Sequence, residues 1–156
     1  AIMRYAASLA GLDSDDMYTQ GKVNEIIEVI NGWRTSFSPT FYIDDLEEKI
    51  AARKALFESG AKIDAGLKDL ETLFENSSTG WIAGTEEMSL ADVKAFLNTF
   101  MMFSGQFDGI EESMIQPYPL LLEYHQKMAN HPDIKAYYDR EDEWRWVFKP
   151  DAFSND

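Results

Sequence analysis

An almost uninterrupted apolar segment in the middle of the chain most constrains its fold. Residues 93–103 read Val-Lys-Ala-Phe-Leu-Asn-Thr-Phe-Met-Met-Phe, and as a helix they would be apolar nearly all round. Such a helix lies buried inside a larger body, because a helix that faces solvent carries a polar side. The sequence therefore predicts an all-α domain packed around one central helix.

The start of this central helix is marked by Ser89, followed three residues later by Asp92. In a capping box the serine hydroxyl accepts the N–H of the third helical residue, whose acidic side chain accepts the N–H of the serine. A carboxylate at this end also interacts favourably with the helix dipole. Ser89 and Asp92 are therefore predicted to be structural residues that fix where the helix begins.

Composition limits the partners and the chemistry. The 156 residues include 28 acidic and 14 basic side chains, for a formal net charge of −14. An acidic surface is repelled by nucleic acid and by anionic membranes, so neither is expected as a partner. The chain contains no cysteine, which excludes disulfides and thiolate catalysis. Its two histidines, His125 and His131, have no evident carboxylate partner, and no metal site is predicted.

Periodic apolar residues predict further helices on both sides of the central one. Val23, Ile26 and Ile30 recur at helical spacing, and Pro119 occupies the position that proline prefers at the start of a helix. Glycines at 60 and 66 indicate that the region 43–76 is not one straight helix. The predicted helices cover residues 1–11, 16–37, 43–76 with a break, the segment from Pro119 to a break at 130–132, and Asp133 to Asp139.

Three segments, in this order, resemble the C-terminal domain of cytosolic glutathione transferases of the alpha, mu, pi and sigma type. The first is the apolar stripe of 67–73. The second combines the Trp-Ile-Ala-Gly turn at 81–84 with the Ser-x-Ala-Asp capping box at 89–92. The third is the helix pair that begins at Tyr118-Pro119 and continues through Asn130-His131-Pro132. The resemblance implies a glutathione transferase C-terminal-like helical bundle over 12–156. It also implies that 1–11 is the last helix of a thioredoxin-like domain that the sequence does not contain.

The resemblance also implies a function. Members of the family conjugate glutathione to small apolar electrophiles, in glutathione metabolism and detoxification, as cytoplasmic homodimers. This chain would then supply a wall of the electrophile pocket and half of the dimer interface. Glutathione would be a co-substrate held mostly by the missing domain, which would also carry the group that activates the thiol. No catalytic residue and no metal are expected in this chain, and the chain alone is expected to be inactive.

Individual residues acquire roles from the same resemblance. The substrate-binding residues are predicted to be Arg34, Phe37, Ser38, Phe41, Tyr42 and Phe148. The dimer-interface residues are predicted to be Arg4, Asn24 and Glu28. Alternatives remain open at this point. The aromatic residues around Ser38-Pro39 and the aromatic tail at 144–150 also fit plain core packing, and Arg4 also fits a solvated surface.

The sequence departs from the family pattern at two places. Asn24 stands where several classes carry aspartate, and Asn31-Gly32 replaces an acidic pair. In related classes an acid of that pair reaches the amine of glutathione bound by the neighbouring subunit. The Asn31-Gly32 departure, the strongly negative charge and the missing domain support the alternative of a non-catalytic interaction module that assembles into a larger protein complex.

Overall fold

A computed structural model describes residues 2–138 and 144–154. In these ranges every regular element is a helix, which confirms the predicted all-α fold. The α-helices are α1 (Ile2–Leu9), α2 (Met17–Thr35), α3 (Leu46–Ala55), α4 (Lys62–Glu75), α5 (Leu90–Phe100), α6 (Pro119–Ala129) and α7 (Pro132–Tyr138). Four 3₁₀ turns connect or follow them: Ser38–Tyr42, Met101–Phe103, Glu112–Ile115 and Trp144–Phe148. Within the described helices, none is long and apolar enough to span a bilayer.

Local signals in the sequence account for the starts of two helices and for one connection between helices. Asp16 accepts the N–H of Thr19 at 2.8 Å at the start of α2, and Asp45 accepts the N–H of Glu48 at 2.8 Å at the start of α3. Gly60 has a φ of 82°, a conformation that suits glycine, and separates α3 from α4. The predicted end of the last helix at Asp139 lies outside the described residues.

Gly66 does not interrupt a helix, although the sequence suggested that it could. It lies inside α4, where a Cβ atom would overlap the Trp33 side chain of α2. The glycine therefore allows α2 and α4 to approach closely, with Trp33 filling the space between them.

Helix α5 is the centre of the bundle, packed against α2, α6 and the last 3₁₀ turn. Its buried residues are Leu90, Ala91, Asp92, Ala95, Phe96, Thr99 and Phe100. The expectation that it is enclosed all round is wrong, because Val93, Lys94, Leu97 and Asn98 are only half-buried. These four residues form one stripe at helical spacing, which faces a cleft instead of another helix.

The buried start of α5 carries the predicted capping box. Asp92 Oδ2 accepts the N–H of Ser89 at 2.9 Å and its hydroxyl at 2.7 Å, while Asp92 Oδ1 accepts the N–H of Ile82 at 2.8 Å. The Tyr124 hydroxyl of α6 donates to the Asp92 carbonyl oxygen at 2.9 Å and lies 3.2 Å from Oδ1. One carboxylate therefore ties together the 81–84 turn, the start of α5 and α6.

His125, the residue after Tyr124 on α6, lies inside the aromatic part of the core. It is fully buried and its ring centroid lies 4.5 Å from that of Phe100 and 5.1 Å from that of Phe153. Its Nε2 lies 2.6 Å from the carbonyl oxygen of Val147, which attaches the last 3₁₀ turn to α6. Burial lowers the pKa of His125 from 6.5 to about 4, so the ring is neutral at physiological pH.

Candidate functional site

The half-buried stripe of α5 forms one side of an open cleft with a volume of about 510 Å³. The end of α2 and the 3₁₀ turn Ser38–Tyr42 form the opposite side. The lining residues are Met3, Asn31, Arg34, Thr35, Phe37, Ser38, Phe41, Leu90, Val93, Lys94, Leu97, Asn98, Met101, Met102 and Phe107. Most of them are apolar, and the polar ones come mainly from α2 and α5.

Four of the six predicted substrate-binding residues meet in this cleft: Arg34, Phe37, Ser38 and Phe41. The structure does not bring the other two there. Tyr42 ends the 3₁₀ turn and points into solvent, with 87% of its surface exposed. Phe148 is 1% exposed and stacks on Tyr138 at 4.7 Å between ring centroids. Phe148 therefore packs in the core, which is the alternative that the sequence left open for the aromatic tail.

An aromatic wall closes one end of the cleft. The rings of Phe37, Phe41 and Phe107 meet edge to face, with centroids 5.3 to 6.0 Å apart, an arrangement that aromatic quadrupoles favour. The buried guanidinium of Arg53 lies 5.3, 5.6 and 5.9 Å from the three centroids. Its Nη1 donates to the Asp108 carbonyl oxygen at 3.1 Å and lies 3.3 Å from Asp108 Oδ2. Arg53 therefore positions the three rings without lining the cleft itself.

Two cations, Arg34 and Lys94, line the same cleft. Lys94 is half-buried and Arg34 is exposed. The pKa of Lys94 is lowered from 10.5, first by burial and then by the charge of Arg34, while the carboxylate of Glu28 opposes the shift. Within the described residues, neither cation has a carboxylate oxygen within 4.0 Å.

The three predicted interface residues form a surface cluster beside the cleft. Arg4 Nε donates to Asn24 Oδ1 at 2.7 Å, and Arg4 Nη2 donates to Glu28 Oε1 at 3.0 Å. Asn31 Nδ2 donates to the other Glu28 oxygen at 3.3 Å. The hydrogen bonds from Asn31 and then Arg4 lower the pKa of Glu28. These contacts lie within one chain and attach α1 to α2; a role in a dimer interface stays a prediction.

Metal ligation was not expected, and the described residues contain no cluster of three or more His, Asp or Glu that could hold a metal ion. Several buried polar atoms of the described residues lack a hydrogen-bond partner: Trp33 Nε1, Thr99 Oγ1, Ser104 Oγ, His125 Nδ1 and His131 Nδ1. The first four belong to buried residues, whereas His131 is half-buried with Nδ1 4.0 Å from Asp133 Oδ2. None of the five residues lines the cleft.

Sequence reasoning missed Lys94 and Phe107 as cleft residues. A signal for Lys94 was present, since it is the one charged residue in the apolar segment 93–103. A half-buried lysine on a central helix requires either a partner or an opening to solvent. Phe107 lies in a connecting segment with no periodic pattern, and only the fold shows that it reaches Phe37.

Comparison with known protein families gives one match. Residues 31–141 fit the family model described as glutathione S-transferase, C-terminal domain. The match covers more than half of the chain, including the end of α2, the aromatic wall and all of α5, and it confirms the resemblance stated from the sequence. No curated protein matches the chain.

Proposed function

Because the chain belongs to the glutathione S-transferase C-terminal domain family, we propose that its cleft is the electrophile-binding wall of a glutathione transferase. The observation that carries the proposal is the convergence of Arg34, Phe37, Ser38 and Phe41 on one cleft. Its volume of about 510 Å³ suits a small molecule, since such sites occupy roughly 300–1,000 Å³ and are mostly apolar.

The proposed division of labour assigns binding to this chain and thiol activation to another domain. Glutathione attacks as a thiolate, and its deprotonation requires a donor or base within hydrogen-bond reach of the sulfur. The cleft offers two hydroxyl side chains, Thr35 and Ser38. The Thr35 hydroxyl already donates to the Asn31 carbonyl oxygen at 2.6 Å. In glutathione transferases the activating group lies in a thioredoxin-like domain, so we assign glutathione activation to such a domain in front of this chain, with conjugation and detoxification in the cytoplasm as the role.

Helix α1 supports the proposal that residues 1–11 are the end of that preceding domain. Its apolar residues Ile2, Tyr5 and Leu9 are 87%, 69% and 73% exposed. A contiguous apolar face of this kind is typical of a surface covered by another protein body. We propose that the thioredoxin-like domain covers it, with glutathione held mainly on that domain.

A two-fold homodimer is part of the same proposal, with Arg4, Asn24 and Glu28 in its interface. In a two-fold interface the same patch on each subunit contacts the other. The Arg4–Glu28 pair is half-exposed, so a partner subunit could bury it further. Sedimentation of the protein with its preceding domain should show a dimer at micromolar concentration, and a monomer there would contradict this assignment.

The experiment that tests the proposed activity uses two proteins. The 156-residue chain and the same chain behind its preceding domain are assayed with glutathione and an aryl halide. Conjugation above the uncatalysed rate is expected only for the longer protein. Turnover by the chain alone would refute the division of labour.

The second candidate function is an interaction module without catalysis. The observation in its favour is that Asn31, which stands in place of an acidic residue, is hydrogen-bonded within the chain to Glu28. The net charge of −14 also suits a basic protein partner. If the longer protein folds and binds glutathione but conjugates none of several electrophiles, the interaction module becomes the better account.

A further inference from the structure

We propose that Phe107 limits the length of the apolar compound that the cleft accepts, and that Arg53 holds Phe107 in place through Asp108. The proposal rests on the proposed function, since it names compact apolar compounds as the class that enters the electrophile site. It is carried by the contacts that attach the turn 107–110 to α3, next to the aromatic wall.

The three rings of the aromatic wall come from two distant parts of the chain. Phe37 and Phe41 follow the end of α2, and Phe37 is held in the core with 5% of its surface exposed. Phe107 is half-buried and lies in the connection between the 3₁₀ turns Met101–Phe103 and Glu112–Ile115. Its centroid lies 5.3 Å from that of Phe37 and 6.0 Å from that of Phe41. This connection must therefore bring Phe107 to the wall from a different part of the fold.

The connection turns at residues 107–110, and this turn lies against α3. The N–H of Ile110 donates to the Phe107 carbonyl oxygen at 3.0 Å, and Gly109 has a φ of 81°, which glycine allows at the third position of a turn. A Cβ atom on Gly109 would lie 2.7 Å from Cγ2 of Ile50 on α3, so the backbone of the turn touches this helix directly. The position of Phe107 at the wall therefore depends on how the turn is attached to α3.

Arg53 of α3 makes this attachment. It is 4% exposed, and in the part of the chain that the structure describes it is the one buried arginine or lysine. Nη1 donates to the Asp108 carbonyl oxygen at 3.1 Å and lies 3.3 Å from Asp108 Oδ2, while Nε donates to Thr40 Oγ1 at 3.3 Å. These two partners belong to the turns that carry Phe107 and Phe41. Because a buried cation needs a partner, Arg53 keeps Asp108, and with it the neighbouring Phe107, close to α3.

The ring of Phe107 takes up space where the aromatic wall closes the cleft. Phe107 lines the cleft together with Phe37 and Phe41, so a ligand that fills the cleft along the α5 stripe ends against these rings. Each methylene that finds room in an apolar site improves affinity roughly fourfold, whereas one without room adds nothing. Removing the Phe107 ring should therefore increase the length of the longest ligand that still gains affinity.

The test measures the length limit with para-alkylphenols whose chains grow from methyl to octyl. They displace the fluorescent apolar probe phenylnaphthylamine from the 156-residue chain, from Phe107→Ala and from Asp108→Ala. Phe57→Ala is the matched control for the ring, since Phe57 is also half-buried but does not line the cleft. Glu111→Ala is the matched control for the carboxylate, since Glu111 pairs at 3.1 Å with Lys54, also on α3. Near-ultraviolet circular dichroism checks that each variant keeps its packing.

In the parent chain, affinity should rise roughly fourfold with each added methylene and then stop rising at one chain length. In Phe107→Ala this limit should move to chains longer by about two carbons or more, the space that a phenyl ring leaves. Asp108→Ala should move the limit in the same direction by a smaller amount, and both controls should keep the parent limit. A shifted limit distinguishes a residue that shapes the cleft from a structural one, since a loss of stability lowers all the affinities alike. Because Asp108 is exposed, Asp108→Ala remains informative even if Phe107→Ala perturbs the fold.

Three outcomes would overturn the proposal while leaving the electrophile cleft intact. The first is an affinity that rises through the whole series in the parent, and the second is an unchanged limit in Phe107→Ala. The third is a limit that does not move in Asp108→Ala, or that moves as far in Glu111→Ala, which would remove the role of Arg53 and Asp108. Failure of the parent to bind phenylnaphthylamine or any of the phenols would instead contradict the proposed electrophile cleft itself.

Discussion

The two sides of helix α5 differ in whether their charged side chains have partners within the chain. On the buried side, the Asp92 carboxylate accepts hydrogen bonds from Ser89 and Ile82 and lies within reach of the Tyr124 hydroxyl. On the cleft side, Lys94 is half-buried without a carboxylate within 4.0 Å in the described part of the chain. Asp92 and Lys94 are only two positions apart in sequence, so the difference arises from what each side of the helix faces.

This contrast separates stability from binding. A buried polar group contributes to a unique fold only when its hydrogen bonds are complete, and removing one partner is costly. A charge left without a partner costs stability, and proteins retain such costs mainly where function requires them. The Asp92 side of α5 therefore holds the bundle together, whereas the Lys94 side is available to a ligand.

The largest effect is expected from Asp92→Ala. Removing the carboxylate leaves the N–H groups of Ile82 and Ser89 without their acceptor in the core, so the free energy of unfolding should fall by about 3 kcal/mol or more. Urea denaturation measures it. Asp69→Ala, on the exposed face of α4, is the control and should change the free energy by less than about 0.5 kcal/mol. Equal effects of the two substitutions would remove the distinction between buried and exposed carboxylates.

A nearly equal loss in the free energy of unfolding is expected at acid pH, where His125 becomes protonated. Its pKa is about 4 in the folded protein, against 6.5 for the free side chain. Because the folded state disfavours the proton, the contribution of His125 is complete above pH 6.5. It is lost progressively as pH falls from about 6.5 to about 4, by up to about 3 kcal/mol. Urea melts at several pH values measure the slope, which should be shallower in His125→Gln than in the parent; identical slopes would contradict the assignment.

A smaller loss, about 1 kcal/mol, is expected for Ser89→Ala, as for other N-cap serines. The substitution removes the hydroxyl that donates to Asp92 at 2.7 Å but keeps the Ser89 N–H and the other donors. The same urea melts measure it. A loss as large as that of Asp92→Ala would mean that the hydroxyl, and not the carboxylate, organises this end of α5.

The smallest effect on stability is expected on the cleft side. Lys94→Gln removes a charge that faces Arg34, so the free energy of unfolding should stay within about 0.5 kcal/mol of the parent or rise. Lys68→Gln is the comparison, since Lys68 pairs at 2.9 Å with the buried Asp64; it should lose about 1 kcal/mol. A larger loss for Lys94→Gln than for Lys68→Gln would show that Lys94 is a structural residue.

The sequence predicted the fold well because its helix ends depend on local chemistry. The aspartates at 16 and 45 start helices by accepting N–H groups three residues later, and Gly60 adopts a positive φ in the connection between α3 and α4. Gly66 was read incorrectly because its reason is tertiary: it makes room for Trp33 on a different helix. Sequence alone cannot show which residue of another helix lies against a glycine.

The site was predicted less completely for the same reason. Phe37 and Phe41 lie four residues apart, so a short turn presents both to one side, whereas Tyr42 follows immediately and is exposed. The position of Phe148 depends on Tyr138 and Phe96, which lie on other helices. A charged residue within an apolar helix, such as Lys94, is visible in the sequence, but the cleft it faces requires α2 to be in place.

The most direct test of separate roles for the two sides of α5 is to map ligand contacts by amide chemical shifts. The chain is labelled with ¹⁵N and titrated with phenylnaphthylamine, a small apolar aromatic compound. The account predicts the largest shifts at Arg34, Ser38, Lys94 and Leu97, with the amides of Tyr124 and its neighbours on α6 unchanged. Largest shifts on α6, or on the exposed face of α1, with the cleft amides unmoved, would contradict it.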